Sequence, residues 1–124
     1  MYGSDFNGEV IIDSNEELLS FLAKRPAFNS NNFAFSFNES GFPQLNIFVK
    51  DNLCVLYFMG EEGESFVSCN EKKMDGVEFF YENMEGGTVT LARENIVPVT
   101  VMNEASKYFF ETKIRPVCCE WMEL

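Results

Sequence analysis

The chain has 124 residues, of which 46% are hydrophobic and 14 are Phe, so its composition favours a packed globular domain strongly over disorder. Its 20 acidic residues outnumber its nine basic ones, which gives a net charge of −11. Such a charge disfavours nucleic acid and anionic membranes and favours a basic protein partner, although it could also serve solubility alone. No apolar run approaches the ~18 residues of a membrane span. Residues 1–7 also lack the features of a signal peptide, so we expect the protein in the cytoplasm. The chain length predicts a single domain over residues 1–124.

The first elements are a short strand and a helix. Residues 8–12 alternate as a strand, and Ser14 then precedes Glu17 by three positions, which is the pattern of a helix capping box. The apolar residues that follow fit one face of a helix ending near Arg25, because Pro26 cannot continue it. This helix is the first of two in the chain.

The middle of the chain reads as strands. Phe33, Phe35 and Phe37 alternate with small or polar residues and therefore share one face. Two apolar strands, over residues 45–50 and 53–59, flank Asp51 and Asn52, which suit a tight hairpin turn. Further strands are predicted over residues 65–69, 77–82 and 88–91.

The last third predicts a strand over residues 96–100, with Pro98 marking an edge position, and a helix over residues 101–112. Thr100 and Asn103 are candidate caps for this helix. A closing strand runs over residues 117–122. The predicted fold class is α+β: a mostly antiparallel meander with a helix near each end.

Catalysis is not expected. The chain has no His, which excludes Ser-His-Asp and Cys-His sites, and Gly86-Gly87 suits a hairpin turn better than a phosphate loop. The four Cys form no CxxC pair and are best interpreted as reduced structural thiols. The acidic residues do not match a calcium loop. We therefore expect no cofactor and no metal.

The stretch over residues 61–85 carries eight acidic residues and only two Lys. Strand alternation places Glu78, Phe80 and Glu82 on one face, opposite Phe79 and Tyr81. An exposed Phe80 among carboxylates would be a typical anchor for a basic partner. The alternative interpretation of this stretch is a solvated sheet edge with one Phe folded under a loop. The candidate binding residues are Glu61, Glu62, Glu64, Asp75, Glu78, Phe80, Glu82 and Glu85.

Several motifs occur in an order that resembles the immunity protein family one of bacterial polymorphic toxin systems. They are Asp13-Ser14 with Leu18, Leu19 and Leu22, then Val55-Leu56-Tyr57-Phe58, Ile96-Val97-Pro98-Val99, Ala105, Phe109-Phe110, Arg115-Pro116 and Glu120-Trp121. The resemblance spans roughly residues 9–124. One departure is Lys113-Ile114, where the family tends to have Gly after the helix.

The resemblance implies a cytoplasmic antitoxin that binds one cognate toxin domain, 1:1, and has no enzymatic activity. Toxins bound by such proteins include nucleic-acid deaminases and nucleases, whose clefts are usually basic. An acidic protein could cover such a cleft by mimicking phosphate charge. Two other functions stay open: an adaptor with a different basic partner, and a small enzyme that uses two carboxylates across a cleft.

Overall fold

The computed structural model describes residues 1–124 and contains ten strands and two helices. The elements in chain order are β1 (Tyr2–Asp5), β2 (Gly8–Ile11), α1 (Asn15–Leu22), β3 (Ser30–Ser36), β4 (Gln44–Lys50), β5 (Leu53–Met59), β6 (Ser65–Cys69), β7 (Val77–Tyr81), β8 (Thr88–Ala92), β9 (Val97–Pro98), α2 (Val99–Thr112) and β10 (Glu120–Glu123). The predicted α+β class is confirmed. Neither helix is long and apolar enough to cross a membrane.

Most strands form one antiparallel sheet in the order β10-β6-β5-β4-β3-β1-β2, and β9 pairs with the start of β5. Strands β3 to β6 are sequential neighbours, as a meander requires. The β4–β5 turn falls at Asp51-Asn52, as predicted, and Asp51 has a φ of 54°. β7 and β8 pair only with each other and form a separate hairpin.

One face of the sheet packs against both helices. Ser14 caps α1 through a hydrogen bond that Glu17 N donates to its Oγ at 3.1 Å, which confirms the predicted cap. The helices bury Leu18, Met102 and Phe109 against the sheet side chains of this face. This face holds the main core, because strand alternation turns every second residue of β3, β4 and β5 toward it.

The other face of the sheet is partly covered by the β7–β8 hairpin. Phe80 of β7 is fully buried there with Val55, Val67 and Ile96. Its ring centroid lies 6.4 Å from that of Phe48 on β4. The sheet is therefore sandwiched between two helices and a two-stranded hairpin.

Several boundaries differ from the prediction. β1 was not predicted. It lies between β2 and β3, and its first residue, Tyr2, pairs with Ile11 of β2 and with Ser36 of β3. α2 begins at Val99 after Pro98, without a side-chain cap, so the predicted caps Thr100 and Asn103 are wrong. Because the helix starts early, the predicted strand over residues 96–100 shrinks to Val97–Pro98.

Helix α2 ends at a left-handed residue. Lys113 has a φ of 63°, and its backbone N–H donates to the carbonyl of Phe109 at 2.8 Å. Glycine is the usual residue in this conformation. Lys113, at which the sequence departs from the family pattern, therefore occupies a position whose backbone conformation favours Gly.

Candidate functional site

The β7–β8 hairpin is joined to the sheet by a half-buried ion pair. Glu78 Oε1 accepts a hydrogen bond from Lys50 Nζ at 2.8 Å, and Arg93 lies 3.7 Å from the second carboxylate oxygen. The hydrogen bond from Lys50 holds the pKa of Glu78 below its ordinary value, and the positive charges of Lys50 and Arg93 act in the same direction. The carboxylate of Glu78 is thus already engaged within the protein.

Phe80 is not an exposed anchor, and this part of the sequence prediction is wrong. The alternation along β7 was predicted as observed, but the face carrying Phe80 turns inward. The inward face meets apolar residues of β5 and β6, so burying the ring there is favourable. Glu78 shares that inward face and reaches Lys50 at its border.

The outward face of β7 carries the exposed aromatic residues instead. The rings of Phe28 and Tyr81 are stacked, with centroids 4.4 Å apart and an interplanar angle of 16°. Phe79 meets Tyr81 edge to face at 5.6 Å. We call Phe28, Phe79 and Tyr81 the aromatic platform. Phe28 lies in the loop before β3 and has no periodic neighbours, so no pattern in the sequence identified it.

The backbone of Phe28 is held in an unfavourable conformation. Ser30 N donates to the carbonyl of Ala27 at 2.9 Å, and the two residues between them, Phe28 and Asn29, have φ angles of 58° and 50°. This is the pattern of a type I′ turn, which normally carries Asn or Gly. A left-handed conformation costs a bulky residue such as Phe roughly 1–2 kcal/mol. The surrounding hydrogen bonds, including one from Asn29 Nδ2 to Asp51 Oδ1 at 2.9 Å, keep the turn in place.

The predicted carboxylates fall into separate groups. Glu82 and Glu85 lie at the end of the hairpin and line a recess of about 290 Å³ together with Asp5. Asp75 lies exposed in the loop before β7. The structure therefore brings Glu82 and Glu85 together at one recess, and it places the remaining acidic residues elsewhere.

Glu61, Glu62 and Glu64 belong to the turn between β5 and β6. They line an open cleft of about 1110 Å³, whose other walls are the segment after α2 and strand β10, and we call it the acidic cleft. Trp121 lies in this cleft and donates its indole N–H to the carbonyl of Pro116 at 2.7 Å. Arg115 lies over the ring of Phe66 and forms no ion pair with these acids. Glu64 Oε2 accepts a hydrogen bond from the backbone N–H of Glu62 at 3.1 Å, and none of the three carboxylates is paired with a cation of this protein.

The cysteines do not form an obvious reactive site. Burial raises the pKa of Cys54 and of Cys119 to about 12, so both thiols are protonated near neutral pH. Burial also raises the pKa of Cys69 and of Cys118. All four are free thiols. The surface groups that could bind a partner are therefore the exposed carboxylates and the exposed aromatic rings, and not the thiols.

No family model matches the chain. It is 50% identical over 124 residues to a protein of Burkholderia cenocepacia (strain H111) named double-stranded DNA deaminase immunity protein, and the similarity covers 100% of both chains. This relationship confirms the resemblance to immunity proteins found in the sequence motifs. The chain belongs to the family of toxin-system immunity proteins that this relative represents.

Proposed function

We propose that this chain binds a cognate deaminase toxin that acts on double-stranded DNA, and that binding alone neutralises the toxin. The observation that carries this proposal is the full-length relationship at 50% identity to a protein with that name. No side chain of this chain is required to perform chemistry. The protein would act by covering the surface through which the toxin reaches its substrate.

The charge of the chain supports a basic partner. A protein that processes DNA presents cations to phosphate, and a net charge of −11 attracts such a surface. Apart from Glu78, no carboxylate of the predicted set forms an ion pair within the protein. We propose that the toxin is attracted by the exposed members of that set, which are Glu61, Glu62, Glu64, Asp75, Glu82 and Glu85.

The proposal is tested by measuring complex formation between this protein and the toxin domain across a salt series. We expect a 1:1 complex whose association rate falls as salt rises, because steering by opposite charges raises association rates ~10- to 10³-fold at low salt. The absence of any complex at low and high salt would contradict the proposed function. A complex whose rate does not depend on salt would contradict the role of the acidic residues.

A matched pair of variants separates local charge from net charge. Changing Glu61, Glu62 and Glu64 to Gln removes three charges at the acidic cleft. Changing Glu9, Glu39 and Glu111 to Gln removes three exposed charges outside the predicted set. We expect the first variant to lower the association rate roughly tenfold at low salt and the second to have a clearly smaller effect. Equal effects would mean that only the net charge matters.

A further inference from the structure

The aromatic platform exposes apolar rings in a fixed arrangement. Phe28 is 49% exposed and Phe79 is 46% exposed, while Tyr81 lies half-buried between them. Because each ring contacts the next, the platform loses little side-chain freedom when a partner covers it. Rigid, exposed aromatic residues are the type that dominates binding energy at protein interfaces.

The conformation of Phe28 also points to a role beyond folding. Gly or Asn would occupy its left-handed position without strain, and neither would expose a large apolar ring. Strained positions of this kind cluster at functional sites. The turn places the ring of Phe28 next to Gly86 at the end of the hairpin. The two are so close that a Cβ atom added to Gly86 would lie 3.5 Å from Phe28 Cζ.

The charges around the platform favour a cation. Asp51 Oδ1 accepts a hydrogen bond from Asn29, the neighbour of Phe28, and Glu85 precedes Gly86, the residue that the Phe28 ring approaches. The nearby Lys50 is paired with Glu78, so its charge is largely compensated. Lys50 Nζ lies 3.7 Å from the centre of the Phe79 ring, so that ring already carries an ammonium group, whereas the ring of Phe28 carries none.

We propose that the aromatic platform is the anchor point of the toxin interface and that it receives an arginine or lysine side chain of the toxin. The cation would lie over the exposed ring of Phe28 and pair with the carboxylate of Glu85, which precedes the Gly86 that this ring approaches. This inference rests on the proposed function. It replaces the buried Phe80 with exposed aromatic residues as the central contact.

The decisive variant is Phe28→Gly. It removes the ring and also relieves the left-handed strain, so the thermal midpoint should stay the same or rise. The affinity for the toxin domain should nevertheless fall at least ~30-fold, as expected for an interface hot spot. Phe79→Ala removes a second ring of the platform and should weaken binding roughly tenfold or more. Affinities are measured by surface plasmon resonance with the full chain.

Leu19→Ala is the matched control. Leu19 is 47% exposed on α1, which packs on the opposite face of the sheet, and Ala suits a helix. This variant should bind within about threefold of the native chain. Native-like binding by both Phe28→Gly and Phe79→Ala would overturn the proposal while leaving the function intact.

Amide hydrogen exchange of β7 and β8 distinguishes an anchor from a ring that only holds the hairpin. Unchanged exchange together with lost affinity in both variants supports the anchor. Faster exchange in Phe28→Gly, together with native binding by Phe79→Ala, would overturn it. If the native chain itself bound no toxin, the proposed function would fail before these variants were compared.

Discussion

The ammonium group of Lys50 on β4 joins the sheet to Glu78 on β7 through a hydrogen bond of 2.8 Å, and it also donates to the carbonyl of Phe79. The side chain of Lys50 is only 10% exposed and that of Glu78 is 23% exposed. This contact fixes the hairpin that carries most of the aromatic platform.

Replacing Lys50 with Met should therefore destabilise the protein. The change leaves the carboxylate of Glu78 with only the longer contact to Arg93, so we expect a lower free energy of unfolding, although solvent screening limits the loss. Urea denaturation measures this loss. Lys107→Met, at an exposed position of α2, is the control and should change stability by less than about 0.5 kcal/mol. Equal effects of the two variants would show that the ion pair does not support the hairpin.

The same pair predicts a dependence on pH. The pKa of Glu78 is lower in the folded protein than in the unfolded chain. Ionised Glu78 therefore stabilises the fold fully at pH values above the ordinary glutamate pKa, and this stabilisation is lost as the pH falls through the pKa of Glu78 in the folded protein. Thermal unfolding of the native chain and of Glu78→Gln should differ at pH 7. The difference should shrink toward pH 3. A difference that stays constant over this range would contradict an ionised Glu78 in the folded protein.

Phe80 should behave as a core residue. Phe80→Ala leaves a cavity between the hairpin and the sheet, and the free energy of unfolding should fall by about 3–5 kcal/mol. Chemical denaturation with CD detection provides the measurement. A change below about 1 kcal/mol would mean that the ring is not buried and could again be considered a surface anchor.

Lys113→Gly should stabilise the chain, because Gly adopts the left-handed conformation at the end of α2 without strain. The expected gain is roughly 0.5–1 kcal/mol. Lys107→Gly lies inside the same helix, where Gly is unfavourable, and should cost about 1 kcal/mol. Differential scanning calorimetry would show midpoints that move in opposite directions. A lowered midpoint for both variants would contradict the left-handed end of the helix.

Much of the fold could be predicted from local patterns. Ser14 and Glu17 mark the start of α1, and Asp51-Asn52 marks the β4–β5 turn, because both signals depend only on neighbouring residues. β1 escaped prediction because it is short and polar, and its strand character depends on pairing with β2 and β3.

The candidate site was harder to predict for two physical reasons. Alternation along β7 shows that Phe79 and Phe80 point to opposite faces, but it does not show which face meets the sheet. That choice depends on tertiary contacts with Val55 and Val67. The left-handed φ of Phe28 likewise leaves no signal in the sequence, because bulky residues rarely adopt it.

The most direct test of the proposed function is a deamination assay. The toxin domain is incubated with double-stranded DNA and increasing amounts of this protein, and the deaminated product is quantified. We expect activity to fall linearly to a complete loss near one equivalent, as for tight 1:1 binding. Undiminished deamination at a large excess of the protein, with the toxin encoded beside it, would contradict the account.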